Sequence, residues 1–411
     1  MNILFLNAYF SPETIAFSHL EQDIISALVN AGHHIQLICP TPSRGLDDGT
    51  IKKYKAIKSE DLYNGYVHVR RFACPKEKKN PIIRAIRYLW CNLCEYFLAK
   101  KYKNIDIVFA VSTPPTQGLL GVKVAKKLSK IYKRKVPFIY ILQDIFPDSL
   151  ATTELAKKEG LIWKIGKKIE RETYANADKI IVISQSFKHN ILNKGVPDEK
   201  ITVIPNWIDT NLVKPIDRNA NSLFDEFNIP KNKFLVVYAG NFGRAQGANI
   251  ILESAEILKE EKNIKFIIFG SGVEYDITKD KAVKLDNVII NPLLPAKKIS
   301  EVYSLGDVVL ITCKKGVGGS GMPSKTWSIM ACNTPIIASF DTDSELSEII
   351  NKAGAGVCVE PENAKALAEK ILWAKVNKIT CNSRAYVIEN AEKEKCVSKY
   401  VELVAEFIKL G

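Results

Sequence analysis

The sequence predicts an α/β protein built from two doubly wound, Rossmann-like domains that face each other across a cleft. Its 411 residues exceed the length at which a single hydrophobic core usually stops growing. Short β-rich apolar runs alternate with longer segments of helical periodicity, which is typical of parallel sheets built from βαβ units. A polar stretch near the middle of the chain interrupts this alternation of strand and helix patterns, which then resumes. Sheets of this kind bind ligands at the carboxyl ends of their strands.

The candidate strands are short apolar runs in both halves of the chain. Those of the first half are Ile3–Asn7, Ile35–Cys39, Ile105–Val111, Phe138–Leu142, Ile180–Ile183 and Thr202–Ile204, and those of the second half are Phe234–Ala239, Lys265–Phe269, Val288–Ile290, Val308–Thr312, Pro335–Ala338 and Val357–Val359. Between the halves, Asp209–Lys233 contains two prolines and no long apolar run, which predicts the interdomain linker. We therefore expect one domain over residues 1–210, a second over 211–389, and a helix over 390–411 that could pack across the hinge.

Composition narrows the classes of protein and of partner. No run approaches the roughly 18 uninterrupted apolar residues that a membrane-spanning helix needs. Nine cysteines and an opening that reads as a strand, without a signal peptide, indicate a reducing compartment, and we expect the cytoplasm. The C-x-x-C pair of Cys91 and Cys94 has no second pair or nearby His, so we predict no metal site.

The net charge of +13 indicates an anionic partner, for which nucleic acid, anionic lipid and nucleotide phosphates all qualify.

Two glycine-rich loops follow candidate strands of the second half and precede helical segments. The first, from Tyr238 to Gly247, combines three glycines with Arg244, and a loop of this kind can bind phosphate through backbone N–H groups and a guanidinium. A tight turn with an exposed arginine is the alternative. The second, from Gly316 to Lys325, has four glycines within six residues, which a mobile loop closing over a diphosphate would explain. Its spacing is not that of a Walker loop.

A third turn, Phe269-Gly270-Ser271-Gly272, also ends a candidate strand. Its small residues could admit a base or a ribose, or it could be a plain turn. Taken in order, these three loops and the block from Gly319 to Ser339 resemble the donor-binding half of a family-four glycosyltransferase with the two-domain GT-B fold. Within that family, the chain is similar to the bacterial L-fucosamine transferase of O-antigen or capsule synthesis. The resemblance continues in the first half through Tyr9-Phe10-Ser11-Pro12-Glu13, Gln143–Asp148 and Val203–Asp209.

The resemblance implies which residues bind a UDP-sugar donor. These are Gly240, Asn241, Gly243, Gln246, Gly270, Ser271, Gly272, Ser320, Gly321, Met322, Pro323, Ser324, Ser328 and Glu345. Enzymes of this family use no metal and retain the anomeric configuration, so Arg244 and Lys325 are expected to stabilise the leaving diphosphate. We accordingly expect no cofactor.

The chain also departs from the common pattern of the family. The usual loop Arg and Lys fall on Asn241 and Gln246, and the usual pair of glutamates falls on Ser320 and Ser328. A Gly-Gly pair near the N-terminus is replaced by Thr14-Ile15-Ala16. Glu345 could bind ribose hydroxyls in place of a missing glutamate, since a carboxylate accepts two hydrogen bonds well. It could equally be an ordinary acid at the start of a helix.

The acceptor side is expected in the first half of the chain. Glu13 and Asp144 each follow a candidate strand, and either could hold the acceptor hydroxyl as a catalytic group. Asp144 could instead end its strand and cap a turn. The resemblance implies an N-acetylated amino sugar as the donor sugar and a polyprenyl-diphosphate-linked saccharide as the acceptor, so the enzyme should work at the inner face of the cell membrane.

A basic amphipathic segment could provide that membrane contact. Lys76–Lys103 contains eight basic and two acidic residues. Its apolar residues recur at helical spacing, namely Ile82, Ile86, Leu89, Leu93 and Phe97, with Trp90 and Tyr96 nearby. A helix of this composition can lie in an anionic membrane interface, although the same stripe could face the domain core.

Two other functions fit parts of the pattern. A UDP-sugar epimerase can share the same architecture and nucleotide site, but it would need no acceptor site. A nucleic-acid-binding protein is indicated only by the charge, because the chain has neither an RNP-like aromatic motif nor a recognisable helix-turn-helix. We therefore expect no nucleic-acid partner.

Overall fold

The computed structural model describes residues 1–13, 17–77, 80–148, 160–318 and 321–409, with the side chains of Pro81, Ile82, Arg244 and Lys409 excepted. The chain forms two compact units. The first consists of residues 1–205 together with 395–411, and the second of residues 206–394. The predicted α/β class with two Rossmann-like domains is confirmed, since each unit is built around a largely or wholly parallel sheet.

Fourteen strands occupy the described part of the chain. They are β1 Asn2–Leu6, β2 His34–Pro40, β3 Ser59–Leu62, β4 Val67–Phe72, β5 Ile107–Val111, β6 Phe138–Leu142, β7 Lys179–Val182, β8 Ile201–Val203, β9 Phe234–Asn241, β10 Ile264–Ser271, β11 Val288–Pro292, β12 Val308–Thr312, β13 Ile336–Ser339 and β14 Gly356–Val359. The sheet of the first unit has the order β3-β4-β2-β1-β5-β6-β7-β8, and that of the second has the order β11-β10-β9-β12-β13-β14.

Fifteen α-helices connect or cover these strands in the described ranges. They are α1 Ser18–Asn30, α2 Asp48–Ala56, α3 Pro81–Ala99, α4 Gln117–Tyr132, α5 Leu161–Asn176, α6 Gln185–Leu192, α7 Leu223–Glu226, α8 Asn249–Ile257, α9 Tyr275–Ala282, α10 Ile299–Tyr303, α11 Lys325–Ala331, α12 Glu345–Lys352, α13 Ala364–Asn377, α14 Ser383–Asn390 and α15 Lys393–Lys409. Short 3-10 turns lie at Tyr63–Gly65, Asp198–Lys200, Arg244–Gln246 and Ala296–Lys298.

The central strands of both sheets are apolar on both faces. Every residue of β5 and of β12 is buried, because helices cover a parallel sheet on its two sides. All twelve predicted strands are present, with ends shifted by at most two residues. Strands β3 and β4 were not predicted. Their sequences, SEDL and VHVRRF, carry charged residues, and β3 pairs antiparallel with β4 at the edge of the sheet.

The segment Asp209–Lys233, which the sequence predicts as the interdomain linker, belongs to the second unit. This segment packs on the second unit, where Leu223 and Phe224 are almost fully buried in its core. Arg218 forms an ion pair with Asp307. The polar residues that indicated a linker instead make turns and side-chain contacts with the strands and helices of that unit.

The last helix starts at Lys393, close to the predicted position. From residue 395 onward the chain belongs to the first unit, although residues 206–394 form the second. Tyr400, Leu403 and Val404 are buried. The C-terminal helix is therefore part of the hydrophobic core of the unit that the chain left at residue 205.

Candidate functional site

In the second unit, the predicted donor loops meet at the carboxyl edge of the sheet. Strands β10, β9 and β12 are neighbours, and the pairing of β9 with β10 extends to Asn241 opposite Ser271. The backbone N–H of Lys314, after β12, donates to the carbonyl of Ala245 at 3.0 Å. The loops that the sequence places far apart therefore line one edge, as expected for the ligand end of a parallel sheet.

Two glycines of these loops are required by their surroundings. Gly272 has φ +118°, and a Cβ there would lie 2.1 Å from Oδ1 of Asn241. Gly240 has φ +157°, and its Cβ would lie 2.6 Å from Nζ of Lys325. Both conformations disfavour a side chain. Gly240 thus leaves the space that the Lys325 ammonium occupies.

Lys325 is the first residue of α11, and its side chain is half-buried. Its Nζ lies 4.2 Å from the centroid of the Tyr238 ring, a cation–π contact. Among the described residues, no carboxylate pairs with this ammonium and no hydrogen bond to it is present. Burial lowers the pKa of Lys325 to about 8. The site thus holds a poorly compensated cation, which an anionic ligand would stabilise.

The second glycine-rich loop is anchored by a residue that the sequence analysis did not single out. Asp341 accepts hydrogen bonds from the backbone N–H groups of Gly316 at 2.9 Å and Gly318 at 2.7 Å. Two of the amides that could have bound a phosphate therefore bind the protein's own carboxylate. Its position two residues after β13 was the available signal, since loops after neighbouring strands meet at the same edge.

Two predicted residues of these loops fall outside the described part. Ser320 is not described, and of Arg244 only the backbone is, as the start of a 3-10 turn that ends at Gln246. Beside this turn, Asn241 is exposed and Gln246 half-buried. Both side chains border buried Gly243, where a Cβ would lie 2.8 Å from Nδ2 of Asn241 and 2.6 Å from Oε1 of Gln246.

The other predicted donor residues differ in exposure. In the turn after β10, Gly270 is buried, Ser271 half-buried and Gly272 exposed, and in the segment before α11, Gly321 and Ser324 are exposed while Met322 and Pro323 are half-buried. Ser328 is buried within α11. Glu345 is the half-buried first residue of α12. Burial raises the pKa of Tyr386, and the charge of Glu345 adds to that shift.

In the first unit, Glu13 is a buried carboxylate at the carboxyl end of β1, 1% exposed. Its Oε1 accepts hydrogen bonds from the backbone N–H groups of Ser43 and Arg44, both at 2.7 Å. Its Oε2 is buried and has no hydrogen-bond partner in the described part of the chain. Burial raises the pKa of Glu13, although the two backbone hydrogen bonds oppose the shift.

Arg87 of α3 lies close enough to affect Glu13 electrostatically, and it is likewise 1% exposed. Its Nε donates to the carbonyl of Pro75 at 3.2 Å. Within the described ranges, Nη1 and Nη2 have no hydrogen-bond partner. The guanidinium lies 5.1 Å from the Tyr9 ring, and the Tyr9 hydroxyl donates to Glu77 at 2.9 Å. A buried donor and a buried acceptor are thus both unsatisfied at the same edge, which is costly unless a polar group bridges them.

Sequence reasoning counted Arg87 only as a basic residue of the amphipathic segment. No local signal pointed to this role, because helical spacing does not show which side of α3 is buried. The other predicted acceptor residue, Asp144, is exposed after β6, and its backbone N–H donates to Oγ of Ser112 at 3.0 Å. Because β5 separates β1 from β6 in the sheet, the structure does not bring Asp144 to Glu13.

The apolar stripe of α3 lies on the surface. Its exposed fractions are 58% for Ile86, 59% for Leu89, 48% for Trp90, 54% for Leu93 and 56% for Phe97. On the opposite side, Cys91 is buried with its Sγ 3.3 Å from that of Cys74. The alternative that this stripe faces the domain core is therefore wrong for these five residues.

The described residues include neither a membrane-spanning helix nor a cluster of metal ligands. Within these ranges, no helix has the length and hydrophobicity to cross a bilayer. No group of three or more His, Cys, Asp or Glu side chains in the same ranges could hold a metal ion.

Comparisons with known proteins bear on both units. Residues 22–212 match the family described as Glycosyltransferase Family 4, and residues 219–394 match the family described as Glycosyl transferases group 1. The chain is 24% identical to a protein named as the colanic acid biosynthesis glycosyl transferase WcaI of Escherichia coli K12, over 98% of this chain and 99% of that one.

Two further proteins are similar over much or all of their length. The chain is 29% identical to a protein named as the glycosyltransferase WbjE of Pseudomonas aeruginosa, over 73% of this chain and 74% of that one. Anabaena HepE, solved in complex with UDP, aligns with a TM-score of 0.68 at 18% identity, covering 99% of this chain and 100% of that chain. The two family matches together span nearly all of both units. The chain is therefore an enzyme that belongs to the family-four glycosyltransferases, with the two Rossmann-like domains of the GT-B fold.

Proposed function

We propose that this glycosyltransferase moves an N-acetylated amino sugar, of the L-fucosamine type, from UDP to a lipid-linked saccharide during O-antigen or capsule synthesis, with retention of configuration. The observation that carries the donor assignment is the Lys325 ammonium, which has no carboxylate partner among the described residues. The UDP bound to Anabaena HepE supports a UDP-sugar as the donor class. The name of WcaI supports the polysaccharide context, and the names of WcaI and WbjE both support the transfer reaction.

The donor diphosphate needs positive charge where its sugar bond breaks. Lys325 lies at the glycine-lined edge of the second sheet, and the backbone of Arg244 lies in the neighbouring turn. As the bond breaks, negative charge grows on the β-phosphate, so a cation there stabilises the transition state more than the ground state. Because these cations can do the work of a divalent ion, transfer should need no metal. The diphosphate should also raise the pKa of Lys325 back toward its ordinary value.

The acceptor needs a different environment, because a sugar hydroxyl both donates and accepts. Oε2 of Glu13 can only accept while ionised, and the Nη groups of Arg87 can only donate. A hydroxyl placed between them would satisfy both buried groups at once. In this arrangement Glu13 receives the hydroxyl proton and Arg87 positions the oxygen. Asp144, which is exposed, is the second candidate for the acceptor carboxylate.

A lipid-linked acceptor requires the enzyme to dock on the membrane that carries it. The stripe of α3 offers five exposed apolar side chains, Trp90 among them, and basic residues flank it at Lys76 and Lys100. A helix of this kind can bind an anionic interface in the plane of the bilayer. We therefore expect peripheral association with the inner face of the cell membrane.

The direct test is mass spectrometry of the products formed from a panel of UDP-sugars and polyprenyl-diphosphate-linked acceptors. The expected product is an acceptor heavier by one sugar, formed equally well with EDTA present. An NMR spectrum of that product should show the anomeric configuration of the donor. Conversion of the free UDP-sugar to its epimer without any lipid acceptor would contradict the proposal and favour an epimerase. Loss of transfer in EDTA with recovery in Mg²⁺ would contradict metal independence.

A further inference from the structure

A second helix of the first unit also exposes large apolar side chains. At the start of α5, Leu161 is 76% exposed, Ile162 is 61% exposed and Ile165 is 52% exposed. Lys164 and Lys168 are exposed between and after them. Single exposed apolar residues are common, but three within five positions form a patch, and such a patch marks an interaction surface.

The helix between these two patches is basic. From residue 117 to 135 the chain has seven Lys or Arg residues and no Asp or Glu. On α4, Lys123, Lys126 and Lys130 are exposed and fall at the three- and four-residue spacing that places them on one side of the helix. In the described part of the chain, none of these three has an ion-pair partner.

All three helices lie on the same face of the sheet. Helix α4 packs against α3 on one side and against α5 on the other. The crossovers from β4 to β5, from β5 to β6 and from β6 to β7 all run in the same direction along the sheet. Because such crossovers are right-handed, they place their helices on one side. The face therefore presents an apolar patch, a row of lysines and a second apolar patch.

We propose that α3, α4 and α5 form one surface that docks on an anionic lipid bilayer, with the two apolar patches inserted and the lysine row against the headgroups. This inference rests on the membrane docking of the proposed function and extends it to two further helices. Apolar contacts from more than one helix strengthen binding to a bilayer, and lysines near an anionic surface strengthen it further.

The charge of the row decides between a bilayer and a protein partner. Lysine is depleted in the cores of protein interfaces, because burying an ammonium without a partner is costly. At an anionic bilayer the same lysines stay hydrated beside lipid phosphates. A central row of lysines without ion-pair partners in the described ranges, between two apolar patches, therefore fits a charged lipid surface better than a second copy of the chain.

The test is co-sedimentation of the full chain with vesicles of phosphatidylcholine containing phosphatidylglycerol, compared with phosphatidylcholine alone. The wild-type protein should bind the anionic vesicles and be released as salt rises. The variants Lys126→Gln/Lys130→Gln and Leu161→Ser/Ile165→Ser should each bind on the order of 10-fold more weakly. Leu212→Ser, at a residue of the second unit that is also 76% exposed, is the matched control and should bind like the wild type. All variants should keep the wild-type melting temperature, because the altered side chains are exposed.

The outcomes separate this inference from the proposed function. If Leu89→Ser/Leu93→Ser weakens binding while the α4 and α5 variants bind like the wild type, the three-helix surface is wrong and docking by α3 alone stands. If the wild-type protein ignores anionic vesicles at low salt, docking itself is wrong, although transfer to a detergent-solubilised acceptor could still be observed. If size-exclusion chromatography shows a dimer that Leu161→Ser/Ile165→Ser dissociates, the patch is an interface between copies of the chain.

Discussion

The carboxyl edges of the two sheets are equipped for different ligands. In the second unit, the edge has the Lys325 ammonium, which has no carboxylate partner among the described residues and lies beside Gly240 and the ring of Tyr238. In the first unit, the edge has a buried carboxylate and a buried guanidinium, each unsatisfied within the described ranges. A lone cation suits a diphosphate, which only accepts hydrogen bonds. A donor and an acceptor together suit a hydroxyl, which does both.

The largest expected effect is at the donor edge. Lys325→Ala should lower kcat/KM for the UDP-sugar by on the order of 10²-fold or more, because a cation that stabilises the leaving diphosphate is lost. Arg244→Ala should have an effect of the same order. The loss of transition-state stabilisation in the double variant should be smaller than the sum of the losses in the two single variants, because both cations act on the same phosphates. Steady-state kinetics at matched melting temperatures measures these effects, and near-normal turnover in both single variants would remove the diphosphate assignment.

The second prediction concerns the acceptor edge. Arg87→Met should raise KM for the acceptor by about 10-fold, since a hydrogen bond from a charged donor contributes about 1.5–3 kcal/mol, and should leave KM for the donor unchanged. The split between the two KM values distinguishes binding of the acceptor from general damage to the fold. Arg87→Lys keeps the charge and should recover part of the affinity. Equal changes in both KM values in the two variants would show that Arg87 only supports the structure.

A third prediction follows from the lowered pKa of Lys325, which lies at about 8 in the free enzyme. Below that pH the ammonium is charged and can bind the diphosphate, and above it the group loses its proton. The profile of kcat/KM for the donor, which reports free-enzyme pKa values, should therefore fall above about pH 8. Lys325→Arg should extend activity to higher pH, because a guanidinium stays protonated. An identical alkaline limb in that variant would assign the titration to another group.

The smallest expected effect is on the stability of the fold. Glu21 is buried, accepts a hydrogen bond from Nδ2 of Asn7 at 2.6 Å, and has its pKa raised from 4.5 to about 8 by burial. The folded state thus keeps a proton that the unfolded state releases, so this group's contribution to stability is full below pH 4.5 and is lost as pH rises to 8. Glu21→Gln does not titrate. Its melting temperature relative to the wild type should rise from pH 5 to pH 8.5, and a constant difference would contradict the shifted pKa.

The two edges also differ in how far the sequence predicts them. At the donor edge, the glycines and Lys325 lie in short segments that directly follow strands, so a local pattern identified both the loops and the cation. The role of Asp341 was not predicted, because it depends on which strands are neighbours in the sheet. Such contacts depend on the order of the strands in the sheet, which the sequence of a single loop does not reveal.

At the acceptor edge, local pattern was less informative. Glu13 was identified because it follows β1, whereas Arg87 comes from a helix more than seventy residues later in the chain. The helical spacing around Arg87 predicted the apolar stripe of α3, but spacing alone could not show which side of that helix is buried. Likewise, β3 and β4 were missed because their charged residues lack the apolar pattern of the central strands.

The central claim is that the second unit holds the nucleotide-sugar donor at the edge where Lys325 lies. Hydrogen–deuterium exchange of the intact enzyme, with and without saturating UDP, tests it most directly. UDP should slow exchange in peptides covering residues 238–247, 269–275 and 313–328, and this protection should weaken in Lys325→Ala. The peptides around Glu13 and Arg87 should not change until the acceptor is added. Protection confined to the first unit, or no protection at any UDP concentration, would contradict the account.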